Sequence, residues 1–211
     1  MTEAKNIDQF IEEQQASLKL NPECGNTHYN LGVALLSQRK TAEAENAFFA
    51  AIENSPGLAE AYVQLGAICL QRGDLDGCLD FNTRAVKARP GFSEGYGNIG
   101  FVHFQKGNLD EAIVALERAT AFNFRFLQGL TTLANAYLMK GRVEDSIHTN
   151  LKALAIEPRF AVAHNNLAIA YLEQGDTAKA IAHYDKAVEF GYEVAPQIRT
   201  EIETLRSAEN K

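Results

Sequence analysis

The feature that most constrains this chain is a self-similarity with a period of 34 residues. Five units fall into register, beginning at Gly25, Ala59, Ser93, Leu127 and Ala161. A period in this range means stacked supersecondary units, none of which can bury its apolar face alone. The seventh residue of each unit is Leu or Ile: Leu31, Leu65, Ile99, Leu133 and Leu167. The eighth is small (Gly32, Gly66, Gly100, Ala134, Ala168), and so is the twentieth (Ala44, Cys78, Ala112, Ser146, Ala180). The twenty-seventh is alanine every time: Ala51, Ala85, Ala119, Ala153 and Ala187. Two helices approach closely only where a side chain is nearly absent, so these positions predict helix crossings.

Each unit reads as two helices. In the last, Leu167, Ala168, Tyr171 and Leu172 form one apolar stripe, and Ala180, Ile181, Tyr184, Ala187 and Val188 form a second. Gly175-Asp176 separates them, and the break recurs as Gly73-Asp74, Gly107-Asn108 and Gly141-Arg142. Glycine takes the left-handed conformation that ends a helix, and Asp or Asn caps the next one. The first unit has Arg39-Lys40 there instead, which predicts a less favourable turn. Three units close on proline (Pro56, Pro90, Pro158), where Phe124 and Tyr192 stand in the other two.

A bulky residue, Leu-Gly or Leu-Ala, an alanine and a proline at these spacings resemble the tetratricopeptide repeat family. The resemblance covers about Gly25 to Val194, with half-matches on both sides. Departures are Cys69 and His103 at the eleventh position, usually aromatic, and Asn82 and Asn150 at the twenty-fourth, usually apolar. The implied fold is all-α: a right-handed α-solenoid of about twelve helices with no sheet. The expected organisation is an N-terminal capping helix over 1–24, repeats over 25–58, 59–92, 93–126, 127–160 and 161–194, and a C-terminal capping helix over 195–211. Ile7, Phe10, Ile11 and Leu18 supply the stripe of the first cap, and Ile198, Ile202 and Leu205 that of the last. Pro196 suits a first helical turn.

Composition removes several function classes. Lys+Arg is 20 and Asp+Glu 27, so the net charge is −7, the wrong sign for gripping nucleic acid or an anionic membrane. No run of about 18 apolar residues predicts membrane insertion, and the N-terminal sequence has no secretory pattern. Cys24, Cys69 and Cys78 cannot all pair and form no CxxC, which predicts thiols in a reducing, cytoplasmic setting.

No catalytic constellation stands out. His28, His103, His148, His164 and His183 lie in no HExxH or similar ligand pattern, so neither metal nor cofactor is expected. There is no GxxxxGK(S/T), and Gly95-Tyr96-Gly97-Asn98-Ile99-Gly100 lies inside a helix with no preceding strand, which fails the dinucleotide context.

In tetratricopeptide proteins the first helix of each unit lines a concave groove, through its second, fifth, sixth, ninth, twelfth and thirteenth positions. Carried onto this chain, those positions hold no Lys and no Arg. A carboxylate wants charge-assisted donors, so the acidic C-termini of chaperones are not expected as partners. The groove acids Glu60, Glu94 and Glu173 favour a neutral or basic ligand. The sixth positions run Asn30, Gln64, Asn98, Thr132 and Asn166. A carboxamide both donates and accepts, so such rungs suit an extended backbone. The alternative is that they are solvated helix-surface amides. Ala163-His164-Asn165-Asn166-Leu167-Ala168 is similar to the asparagine-bearing repeats of the O-linked N-acetylglucosamine transferases, of which only the groove carries over. Asn135, Asn165 and Phe101 complete the candidate peptide-binding set.

The expected function is a non-catalytic adaptor holding an extended segment of a protein partner. The alternative is a scaffold that self-associates. Phe122-Asn123-Phe124-Arg125-Phe126 bears on the second, with Phe124 either an exposed contact or a filler of the altered turn.

Overall fold

The computed structural model describes residues 2–209. The described residues form twelve helices and no strand: α1 (Thr2–Leu20), α2 (Gly25–Ser37), α3 (Thr41–Asn54), α4 (Ala59–Gln71), α5 (Leu75–Ala88), α6 (Ser93–Gln105), α7 (Leu109–Phe122), α8 (Leu127–Met139), α9 (Val143–Ile156), α10 (Ala161–Gln174), α11 (Thr177–Glu189) and α12 (Pro196–Glu209). Helices α2, α4, α6, α8 and α10 start at the five residues from which the 34-residue units were counted. This is an all-α helical-repeat fold of the solenoid class. The helices gather into two compact units, Met1–Val102 and His103–Lys211.

In the first unit α2 packs on α3 and α4 on α5, while α1 closes α2 and α3 meets α4. Phe48 and Leu65 anchor its core, with Ala44, Ala51 and Ala59 sealed beside them. Gly32 has to be glycine: a methyl there would come within 2.6 Å of the buried Phe48 ring. Cys69, Cys78 and Val102 make a smaller cluster. Burial pushes the Cys78 thiol up to about 11, so it is a packed, protonated side chain rather than a nucleophile.

In the second unit α8 and α10 pack on α9 and α11 respectively, α9 meets α10, and α12 caps α11. Leu116, Leu167 and Ile202 are sealed inside, as are Ala112, Ala119, Ala134, Ala153, Ala180 and Ala187. The small eighth, twentieth and twenty-seventh residues therefore lie at helix crossings, as their recurrence predicted. Ile198 and Ile202 carry the inner face of α12, with Ile202 fully buried.

The turns repeat one device. Gly73, Gly107, Gly141 and Gly175 all adopt positive φ between the two helices of their repeats. Arg39 takes the same conformation at φ 61°, the one non-glycine residue to do so among the described residues. Asp74 and Asp176 accept from the backbone N–H groups of Gly77 and Lys179, capping α5 and α11, whereas Asn108 makes no such bond. Two histidines tie repeats to the turn before them. His28 Nε2 lies 2.8 Å from the Pro22 carbonyl, and His164 Nε2 lies 3.1 Å from that of Pro158. A carbonyl only accepts, so both rings carry hydrogen on Nε2.

Replacing Arg39 with glycine should relieve the left-handed turn and raise stability by about 1 kcal/mol, read as a higher denaturant midpoint. Ala153→Leu should instead lower stability by about 1–3 kcal/mol through overpacking of a sealed crossing.

Candidate functional site

Seven residues of the first unit enclose a cavity of about 590 Å³: Ile7 and Phe10 from α1, and Tyr29, Asn30, Val33, Ala34 and Ser37 from α2. Four of these, Tyr29, Asn30, Val33 and Ser37, occupy the fifth, sixth, ninth and thirteenth positions of their repeat. Their spacing puts them on one helical face. Ile7 and Phe10 were expected to pack as a capping stripe, and nothing in their spacing signals that they also wall this cavity. Asn30 is exposed and has no side-chain hydrogen bond among the described residues, so donor and acceptor are both available.

The Tyr29 side chain is half-buried beside the Phe48 ring, with centroids 5.9 Å apart. Burial, then the carboxylates of Glu60 and Glu94, push its pKa up. The surroundings of the ring are thus acidic. Glu60 is answered by Arg89, whose guanidinium lies 2.7 Å away and 3.9 Å over the Phe92 ring. Arg89 comes from the end of α5, outside the positions that sequence reasoning assigned to the groove.

The remaining rungs are engaged differently. Asn98 donates from Nδ2 to Asn82 Oδ1 at 2.9 Å, and Asn82, fully buried on α5, donates in turn to the Cys78 carbonyl at 2.8 Å. The apolar-to-asparagine departure at Asn82 therefore has a partner. Gly66 makes room for it, since a methyl there would collide with the Asn82 amide nitrogen. The same triad recurs 68 residues on as Ser146, Asn150 and Asn166. There Ala134 replaces Gly66. Asn150 still donates to the Ser146 carbonyl at 3.1 Å, but Asn150 Oδ1, Asn166 Nδ2 and Ser146 Oγ are buried without a protein partner. Thr132 donates to the Gln128 carbonyl of its own helix at 2.8 Å. Asn135 and Phe101 are half-buried, and Asn165 is buried beside Asn166 on α10. Asn30, Gln64, Asn98 and Phe101 thus lie in the first unit, and Thr132, Asn135, Asn165 and Asn166 in the second.

No group of three metal-ligating side chains occurs among the described residues. The one histidine pair, His164 and His183, has its Nδ1 atoms 2.9 Å apart. His164 carries its hydrogen on Nε2, so His183 donates and His164 accepts. The ring of His183 stacks on Tyr171 with centroids 5.5 Å apart. Burial depresses the pKa of both, and for His183 the facing His164 and Lys186 take it to about 4.

Stacked helical hairpins crossing at small residues, with polar and apolar side chains presented along the first helix of each pair, define a helical-repeat protein. Family models for tetratricopeptide repeats match residues 12–59, 38–91, 93–125 and 161–190, and a TPR repeat model matches 134–175. The chain belongs to the tetratricopeptide repeat family. No curated protein sequence matches it. Among solved structures it is similar to YrrB, described as a TPR protein with an unusual peptide-binding site. The TM-score is 0.73 at 19% identity, covering 86% of this chain and 93% of that one. It is also similar to MamA (TM-score 0.70, 23% identity, covering 82% and 98%) and to a thermophilic TPR protein of Thermus thermophilus (TM-score 0.60, 23% identity, covering 86% and 98%). Tetratricopeptide proteins are in general non-catalytic, and the family points to a protein-interaction or scaffold role. Among the described residues no helix is long and apolar enough to cross a membrane.

Gly66→Ala should destabilise by about 1–3 kcal/mol by evicting the Asn82 amide, although alanine is intrinsically the better helix former by about 1 kcal/mol. Asn98→Ala should lower the melting temperature too, because it leaves a buried acceptor unpaired at about 1–3 kcal/mol. The histidine pair sets a pH dependence. Its pKa values are depressed in the folded state, so the unfolded chain binds more protons between about pH 4 and 6.5 and stability falls as pH drops through that window. Replacing His164 by Tyr and His183 by Phe copies Tyr62 and Phe81 of the second repeat. Thermal melts should show a flatter profile between about pH 5 and 6.5 for that double variant.

Proposed function

We propose that the protein is a non-catalytic adaptor that holds an extended, neutral or basic segment of a protein partner against the first helices of its repeats. The observation that carries this reading is the cavity beside Asn30. An apolar side chain of the partner enters between Phe10 and Val33, while the carboxamide of Asn30 pairs with the partner's backbone. Asn135 of the second unit offers another amide without a described partner. Asn98, Thr132 and Asn166 act mainly through the packing that holds these helices. Glu94 favours a basic residue in the ligand, and the lack of Lys and Arg at the groove positions disfavours acidic chaperone tails. The three free thiols agree with a reducing, cytoplasmic site of action. YrrB, of the same fold, is described as having a peptide-binding site, which supports this class of function.

A second reading, a self-associating scaffold, rests on Phe124, which is 71% exposed. Its ring is available as a contact. Sedimentation over a range of concentrations separates the two: a strict monomer removes the scaffold.

The adaptor reading is tested by selecting displayed random peptides on the whole protein and titrating the winners by calorimetry. Asn30→Ala and Val33→Glu should each weaken binding about tenfold or more, with unchanged melts because both side chains are exposed. Selected peptides that bind both variants as tightly as wild type would remove the site.

A further inference from the structure

The second unit holds a cavity of about 710 Å³ on a different face from the groove residues. Leu130, Leu133 and Tyr137 of α8 form its floor, Ala121 of α7 and Ala155 of α9 its walls, and Phe124 its rim. On α8 these are the fourth, seventh and eleventh positions, whereas Thr132 and Asn135 are the sixth and ninth.

The internal repeat explains why the cavity is there. In the first unit the corresponding gap, between α3 and α5, is plugged. Phe49 and Phe81 meet edge-on across it with centroids 6.0 Å apart. Arg84 lies over that plug, 5.6 Å from the Phe81 ring and 4.8 Å from that of Tyr62. Adding 68 residues takes Phe49 to Glu117, Phe81 to Thr149, Tyr62 to Leu130 and Arg84 to Lys152. All four line the cavity. Three rings have gone and the cation has stayed. In the fifth repeat the position of Phe81 again carries a ring, His183, stacked on Tyr171 of α10. Between α7 and α9 neither of the two plug positions carries a ring.

The polar groups around the cavity are already engaged, with one exception. Thr120 and Thr149 donate to the Leu116 and Asp145 carbonyls of their own helices, at 2.9 and 2.7 Å. The Tyr137 hydroxyl donates to Glu117 Oε1 at 2.6 Å, and Arg142, paired with Asp145 at 2.7 Å, sits 4.3 Å over the same ring. Lys152 alone has no hydrogen bond, ion pair or ring contact among the described residues. The walls are helices whose backbone groups bond internally, so an extended peptide laid here would find no main-chain partners. An aromatic body asks for none. We infer that this cavity is a binding site for a small aromatic carboxylate, its ring replacing the missing Phe81 and its anion meeting Lys152.

The test uses the full chain and sodium 2-naphthoate, with the uncharged 2-naphthamide as control, titrated by calorimetry. Wild type should bind 2-naphthoate saturably at one site per chain. Lys152→Gln should weaken 2-naphthoate about tenfold while leaving the amide unchanged. Thr149→Phe, which restores the plug of the first unit, should abolish binding. Where that variant melts below wild type, Ala121→Phe fills the cavity from its exposed rim instead and should give the same loss. Absence of saturable binding, binding that survives the filled cavity, or indifference to Lys152→Gln would each overturn the assignment. Self-association of the wild type that disappears on filling the cavity would also overturn it, by giving the site to a second copy of the chain.

Discussion

Close helix approach at small residues is the constraint on which everything else rests. Ala44, Ala51 and Ala85 in the first unit and Ala112, Ala119, Ala153, Ala180 and Ala187 in the second are without exposed surface. A helix pair brought together at such points has little freedom to roll or slide, since ridges and grooves interlock only at a few angles. The rest of each repeat is thereby placed. The first helix must offer the same face in every unit, and the seventh and eleventh positions must look towards the second helix. The identity of the residues at the other positions is then free to vary without moving the backbone. Gly25, Gly32 and Gly66 push the principle to its limit, each leaving no room for even a methyl.

That freedom is where the repeats have diverged, and divergence falls into a few kinds. Asn82 and Asn98 exchange an apolar contact for a hydrogen bond between two neighbouring helices. Buried amides of this sort contribute modestly to net stability when paired and cost more when one partner is lost. The incomplete copy at Ser146, Asn150 and Asn166 carries that cost, with three polar atoms sealed from solvent and unpaired. Ala134, standing where the complete copy has Gly66, is fully buried and is a better helix former than glycine. His164 and His183 occupy the positions of Tyr62 and Phe81, trading aromatic packing for a hydrogen bond that is lost once the accepting His164 nitrogen is protonated.

Much of the fold was legible in the sequence because a repeat states the same sentence five times. Leu167 or Ala187 alone would have said little, but their equivalents agree in every unit, and the helix starts follow. Arg39 was also legible, as the one turn without glycine. The amide rungs were not. Asn98 and Asn30 are indistinguishable by position, and what separates them is the residue 16 places earlier: Asn82 for one, and a segment before the first repeat for the other. Arg89 was missed for a similar reason, since it reaches Glu60 from the end of a second helix. Ile7 and Phe10 carry a packing stripe, and only the geometry of α1 on α2 turns part of that stripe into a wall.

An array of this kind also supplies its own comparison. Two repeats of one chain share backbone, solvent and folding history, so a difference between them isolates the effect of the side chains at that place. Tested this way, a cavity left by large-to-small replacement is informative only when its polar groups are also considered. Lining such a gap with more alanine would simply have cost stability in proportion to the volume lost. Between α7 and α9 the change is of another sort, because the volume was removed while a cation was retained and the nearest carboxylate accepts from Tyr137. A gap that loses its ring and keeps its charge has the composition of a pocket that fixes orientation with one polar group and holds the rest by apolar contact. The same reasoning explains why the cavity beside Asn30, walled by α1 rather than by a second repeat, has no counterpart to measure against. Its assignment therefore rests on the free amide, and that of the second cavity on the contrast with its plugged twin.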